Sequence, residues 1–482
     1  MKHGISKNSV ALLFVFIIIA LSLVLPVPDG LGRSALYVLG IFISTILLWM
    51  TVGVTWPSVF AILALGFLPE TSLGEVISSS IGNSTITFLI FTFCCSWALE
   101  QTPFVRRCAV CFLSVPIASR KPWMFILLYF SSILLLGSFM STTVIVIIYL
   151  TINEEIFAIL KLQKGNRTAD MMTMGLIIVS AISGAVTPIA HVFPLMAISL
   201  YTDATGLTIR YLDYILAAVP AGILVILVMM LIFRIVLKPD VSCLKDLDIE
   251  EIRKATPPAG NRERATAAIF LGVCVLWILP ELISGILPAV SSFLSSFGTV
   301  MPPMLGALLM CLFQVEEKPL MDLKKALAGI PWLSIFMGAA ALALGGQVSN
   351  PDIGITTAIS EAMSPLLAVI SPFMFALIMI VFTTLATNVA INMVIVTLSC
   401  TIAIPICLSM GNGAICTPAL CSVIGMASAY AFATPPAMTT VALGTGSGWT
   451  NTRNMAVYGF LVIPVVCLAL AFISFPIASA IM

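Results

Sequence analysis

Charge is what this chain has least of. Of its 482 residues only 9% are Asp, Glu, Lys or Arg, whereas 60% are hydrophobic. A soluble domain carries roughly 25% charged residues, so the chain cannot clothe itself in a polar surface, and a soluble enzyme or binding module is excluded. Its net charge of +1 offers no basic footprint, and no nucleic-acid partner is expected. The alternating ten-residue segments of a transmembrane barrel are missing as well. Histidine is nearly absent, with two in the whole chain. No pair of carboxylates or histidines converges in the apolar runs, so intramembrane hydrolysis lacks its paired aspartates, Ser–His pair or metal ligands. No catalytic residue, no enzyme activity and no resident cofactor are expected. Cysteine is present twelve times but builds no framework. Most thiols stand singly in apolar runs, where they act as small hydrophobes. The one C-x-x-C, Cys108 with Cys111, has neither His3 nor His191 beside it to complete a metal site.

What the chain does have is apolar runs of about 17 to 25 residues, the length a helix needs to cross a bilayer. It reads as an all-α polytopic membrane protein, with lipid as its main partner. The first run, "VALLFVFIIIALSLVLPV" from Val10, follows Lys2 and Lys7 and is not followed by a small-x-small cleavage site. A retained first helix is expected rather than a signal peptide. The basic residues then fall in groups: Arg106, Arg107, Arg120 and Lys121; Lys161, Lys164 and Arg167; Lys238 to Arg264; Lys318, Lys324 and Lys325; Arg453. Loops between them hold Asp29 with Arg33, Glu70 with Glu75, Asp203 with Arg210, and Asp352 with Glu361. Because cytoplasmic loops collect Lys and Arg, the N-terminus is expected on the cytoplasmic side of a cell (plasma or inner) membrane.

Between Lys121 and Lys161 the chain begins and ends on a basic side. From Thr142 to Glu154 a helix covers about 18 Å, short of the ~30 Å hydrocarbon core. A re-entrant hairpin turning at Ser141–Thr143 is expected. A second uncharged interval, from Glu361 to "GNGAICT" at Gly411, reads as another hairpin entered from the opposite side.

The halves resemble one another. "FLIFTFCCSWALE" from Phe88 matches "LSIFMGAAALALG" from Leu333 at an offset of 245. "MSTTV" matches "ATNVA" at 246, Ser141 with Thr387; "AVTPIA" matches "FATPPA" at 247, Thr187 with Thr434. The charge pattern inverts between them, and inverted repeats mark secondary transporters, whose sites lie at the repeat interface near the midplane. The expected organisation is an N-terminal scaffold over residues 1–78, a first inverted repeat over 79–237, a cytoplasmic linker over 238–264, further scaffold helices over 265–325 and a second repeat over 326–482. Each repeat carries a re-entrant hairpin and a proline-broken helix, since Pro188, Pro435 and Pro436 remove backbone donors inside apolar runs.

Around these motifs Lys and Arg are absent. An anion there must be held by hydroxyls, by the amide of Asn388 and by N–H groups at half-helix ends, while freed carbonyls suit a hard cation. Proton coupling needs an intramembrane carboxylate or histidine, and only Glu100 and His191 qualify. Sodium is the expected coupling ion. Glu100 is read as a solvated partner of Arg106 and Arg107. Asn392, one turn beyond Asn388, is a further candidate. His191 follows the first break and could cap the helix, touch the anion or face water.

These motifs resemble the divalent-anion/sodium symporter family, from about Ser79 to the C-terminus. The resemblance includes "IPWLSIF" at Ile330. It implies symport of a dicarboxylate, citrate or sulfate with sodium, by an elevator-type movement in a homodimer. It places the first hairpin motif on Ser141, Thr142 and Thr143, and the second on Thr387, Asn388 and Val389. With Thr187, His191, Thr434 and Pro435 these make the candidate anion site. Sodium would be held at Ser141, Thr142, Thr387 and Asn388 and by the carbonyls near Ala190 and Ala433. The sequence departs from the family pattern at Thr142, where Asn is usual, at Val389, where Thr is usual, and at Ala437, where Asn is usual. These departures point to a smaller or less polar anion, or to an exchanger.

Overall fold

The computed structural model describes residues 7–27, 31–115, 121–247, 249–367, 370–410 and 414–482. Lys2, His3, Asp29, Arg120 and Gly411, all used in the sequence reading, lie outside the described residues. The described chain is helical apart from β1 (Gln314–Val315) paired with β2 (Lys318–Pro319). Among the described residues eight helical stretches are long and apolar enough to cross a membrane, or up to ten when each of two bent pairs counts as one span. This is an all-helical, multi-span membrane protein.

α1 (Lys7–Val24) packs along α2 (Arg33–Thr51), and α3 (Thr55–Leu65) lies against α2. α4 (Leu73–Ser79) opens on a capping box in which Ser72 Oγ accepts the Glu75 N–H and the Glu75 carboxylate accepts the Ser72 N–H at 2.7 Å. α5 (Ser84–Glu100) starts at the cap of Asn83, and the α4–α5 pair is bent by 44°. The expected boundary at residue 79 therefore falls inside a bent pair.

α6 (Phe104–Leu113) leads to α7 (Pro122–Gly137) and α8 (Thr142–Ile159), two arms of a hairpin. α9 (Arg167–Val186) follows, capped by Asn166. Its membrane-length window is 100% buried, as expected of a helix enclosed by other helices. α7 reaches it closely because residue 175 is glycine; a Cβ there would stand 2.2 Å from the Phe130 ring. Then come α10 (Val192–Thr205) and α11 (Tyr211–Ile232), prolonged by a π-helical turn to Leu237.

The polar linker folds into a 3₁₀ turn (Ser242–Asp246) and α12 (Ile249–Lys254); α13 (Asn261–Ile283) begins inside its expected span. α14 (Pro288–Ser296) and α15 (Met301–Leu312) form the second bent pair, turned by 71°, and α16 (Leu323–Gly329) closes this region.

The second half holds α17 (Trp332–Ser349), α18 (Ile355–Leu367) and a hairpin of α19 (Pro372–Thr387) and α20 (Asn392–Ser409). α21 (Thr417–Ala429), α22 (Thr439–Gly446), α23 (Thr452–Ala469) with a π-helical turn to Ser474, and α24 (Phe475–Ile481) complete it. Both arms of the first hairpin pack on α9, and both arms of the second pack on α21. The contacts also cross over: α8 touches α22, α20 touches α10, α9 touches α21 and α11 touches α23.

The linker side is held by two arginine forks, the bidentate geometry that makes such pairs strong. Arg106 meets Glu155 at 2.9 and 2.7 Å. Arg107 meets Glu263 at 2.7 and 2.9 Å and also donates to the Pro257 carbonyl. Glu100 is therefore not their partner, as the sequence reading had it; it is half-buried and accepts from Ser96 Oγ at 3.1 Å. The arginines pass it over for carboxylates that tertiary packing brings nearer. Arg107→Ala strands the Glu263 side chain, only 6% exposed. Because Arg107 itself is about a third exposed, the expected loss is about 1–2 kcal/mol rather than the larger figure for a fully buried pair. Thermal unfolding in detergent measures it, and Glu263→Gln added to Arg107→Ala should recover part.

Candidate functional site

Each hairpin starts with proline at its first helical position, Pro122 and Pro372, where the missing N–H is no loss and φ is already set. Their first arms are 16 residues long and their second arms 18. The two hairpins thus correspond end to end at an offset of 250, which matches Ser138 with Asn388 and Thr142 with Asn392. That register is four residues from the one matching Ser141 with Thr387. Hydroxyl bonds cross-link the arms inside each hairpin: Tyr149 Oη donates to Ser132 Oγ at 2.6 Å, and Thr383 and Ser399 share a bond of 2.9 Å.

The helix breaks have an equally local cause. Thr187 precedes Pro188, whose ring pushes the preceding residue out of the α region; its φ of −132° and ψ of 147° end α9. α10 resumes after His191, whose Nδ1 accepts the Val192 N–H at 3.1 Å. A neutral ring bonded this way carries its proton on Nε2 and presents a donor there. In the second break, Pro435 and Pro436 lie between α21 and α22.

The threonine of each break is tied to the tip turn of its own hairpin. Thr187 Oγ1 donates to the Ser138 carbonyl, and Thr434 Oγ1 donates to the Asn388 carbonyl at 2.5 Å. The acceptors are the very residues matched by the 250 register.

Asn388 goes further. It is 0% exposed, and its amide donates to the carbonyls of Thr384 and Tyr430, each at 2.8 Å. Its Oδ1 accepts the N–H groups of Phe432 at 2.9 Å and Ala433 at 2.8 Å. A carboxamide offers two donors and two acceptor sites, so all four are taken. Thr387 Oγ1 is likewise engaged, donating to the Ser428 carbonyl at 2.8 Å. Thr387 and Asn388 of the second motif are thus spent on fixing the hairpin to α21 and the second break, whereas Val389 is exposed.

The first motif is freer. Ser141 is half-buried and its side chain caps nothing; Thr143 is half-buried, and Thr142 is buried. Thr142 and His191 meet over Gly184: a Cβ on that glycine would lie 3.0 Å from Thr142 Cγ2 and 3.2 Å from His191 Cδ2. Ala190 is buried, with its N–H on Thr187 Oγ1 at 3.4 Å. Thr434 and Pro435 are half-buried.

The two breaks lie close together. α9 packs on α21, and a Cβ on Gly222 of α11 would stand 2.7 Å from Val186 Cγ1 and 3.8 Å from the Tyr430 hydroxyl. None of the bonds in this region uses an Arg or Lys. The polar groups are hydroxyls, amides, one imidazole and backbone, a set suited to an oxyanion and a hard cation. Three residues escaped the sequence reading. Ser138 acts through its carbonyl, Gly184 through having no side chain, and Tyr430 sits outside any motif; the equal spacing of Pro122 and Pro372 from the turns was the available signal for Ser138.

The sequence matches the sodium:sulfate symporter transmembrane region over residues 6–476. None of the curated proteins compared matches the chain. The match spans nearly the whole of the fold just described, including both hairpins and both breaks, and the protein belongs to the sodium:sulfate symporter transmembrane family, a family of transporters and not of enzymes, whose membership implies sodium-coupled transport of a divalent anion.

Proposed function

We propose that this protein carries a small divalent anion of the dicarboxylate, citrate or sulfate class across a cell membrane together with sodium. The two hairpins and the two broken helices form the moving unit, and the remaining helices form a scaffold in a homodimer, as in an elevator. The halves over 79–237 and 326–482 are inverted repeats, with the hairpins re-entrant, and the N-terminus is cytoplasmic. The observation that carries this reading is the paired tie of Thr187 to Ser138 and of Thr434 to Asn388. Each break is locked to its own hairpin while the hairpins cross over to the opposite half, which is what a body that moves as one piece around a central site requires.

In this reading Ser141, Thr142, Thr143 and His191 face the anion from the first half, and Thr434 and Pro435 face it from the second. Thr187, Thr387 and Asn388 shape the pocket from behind. Sodium takes oxygens near Ala190 and Ala433 and at the hairpin tips. Purified protein in liposomes provides the test, with labelled sulfate, succinate and citrate offered under an inward sodium gradient. Accumulation of at least one anion that collapses when potassium replaces sodium is the expected result. Counterflow that ignores sodium would identify an exchanger instead, which is the reading the departures at Thr142 and Ala437 would favour.

A further inference from the structure

Asn392 stands out among the buried polar side chains. It is 2% exposed, and neither its Nδ2 nor its Oδ1 has a hydrogen-bond partner. Buried amides are nearly always satisfied, and an unsatisfied one is destabilising; a membrane helix has Leu or Ala available at no such cost. Four residues earlier, Asn388 presents the opposite case, with every donor and acceptor occupied.

The position of Asn392 suggests what is missing. It is the first residue of α20, an 18-residue helix, with Ile391 before it making no side-chain cap. The first-turn N–H groups of a helix have no partner within it, and the dipole there favours negative charge. α20 packs on α21, which runs into the second break, and on α10, which leaves the first. At the same place in the other hairpin stands Thr142, whose side chain flanks Gly184 together with His191 of the first break. Both second arms thus begin with a polar residue, and in the second hairpin that residue is an amide with free valences.

We propose that Asn392 is a further carboxamide that meets the transported anion, donating from Nδ2 to a carboxylate or sulfate oxygen. This rests on the transport reading above. The sign of the helix end argues for the anion over the cation at this amide, and a buried donor built for an oxygen discriminates strongly against ligands that lack one.

The test uses the full chain with sulfate and succinate as probes, in thermal unfolding with and without sodium and in liposome uptake. Asn392→Leu removes the amide; Asn392→Asp keeps its shape and an acceptor but has no N–H at neutral pH. Without anion, Asn392→Leu should melt at or above the wild-type temperature, since an unsatisfied polar group has been removed. Both variants should lose the rise in melting temperature that anion gives the wild type. The half-saturating anion concentration for uptake should increase at least about tenfold, the equivalent of one lost hydrogen bond to a charged group, with sodium half-saturation unchanged. A wild-type anion response in Asn392→Leu overturns the proposal, and so does a lower anion-free melting temperature, which would mean the amide has a structural partner. Absence of sodium-coupled uptake by the wild type removes the transport reading and this proposal with it. Wild-type uptake alongside an unaffected Asn392→Leu removes this proposal alone.

Discussion

Asn388→Ala should abolish uptake and destabilise the protein by about 3–5 kcal/mol, because it strands the Phe432 and Ala433 N–H groups and removes both amide donors in a fully buried site. The N–H groups matter most. They belong to the irregular stretch after α21, where no helical carbonyl is available to take them, and lipid or packed protein offers no water in exchange. Without the carboxamide, the second break loses its attachment to the hairpin except through Thr434 and Thr387. The expected kinetic signature is loss of maximal rate, not recovered by raising anion concentration, together with a lowered melting temperature in detergent. This is the reverse of the pattern expected at Asn392, where affinity falls and stability does not. A variant at Asn388 with wild-type melting and only a raised half-saturation would return Asn388 to direct contact with the anion.

The contrast between these asparagines also marks how far the sequence could be read. That both are polar residues in an apolar segment was plain, and Asn388 was the natural choice because it sits in the hydroxyl cluster of its turn. What it binds was not legible. Three of its four partners are backbone groups 42 to 45 residues away, and backbone groups leave no trace in side-chain identity. Ser138 was invisible for the same reason, since its contribution is a carbonyl. Matching hydroxyl to hydroxyl set Ser141 against Thr387, whereas the arm lengths that begin at Pro122 and Pro372 set Ser138 against Asn388.

Where a feature has a local cause, the reading fared better. Membrane spans follow from apolar length alone. The end of α9 follows from the Thr187–Pro188 dipeptide, because a proline ring restricts only its immediate neighbour. The bend between α4 and α5 has no such proline, whereas that between α14 and α15 carries Gly298, at a φ of 72°, and proline in the first turn of α15. The first falls in "SIGN", where Asn83 caps the following helix, a signal easily lost among other polar residues. The arginine pairs fail the local reading too: Arg106 and Arg107 find Glu155 and Glu263, 49 and 156 residues along the chain, and leave Glu100 to Ser96.

Gly184→Leu should reduce sodium-coupled uptake by about ten- to a hundredfold, the equivalent of the 1–3 kcal/mol that overpacking a tight interior imposes. The first carbon of the new side chain would already stand 3.0 Å from Thr142 and 3.2 Å from His191, and α9 is buried throughout its membrane-length window, so the remaining carbons have no outward direction to take. Either Thr142 and His191 are pushed from the positions they now share, or α8 and α10 part. Gly184→Ala requires those neighbours to give only a few tenths of an ångström and should retain most of the uptake. Gly346→Leu, at a glycine with nothing within 4 Å, serves as the control for glycine replacement in a membrane helix. Uptake and melting temperature measured together separate a displaced site from a misfolded protein. Full transport by Gly184→Leu with normal stability would mean that Thr142 and His191 contribute nothing to the anion's path, and the first half of the site would have to be sought elsewhere.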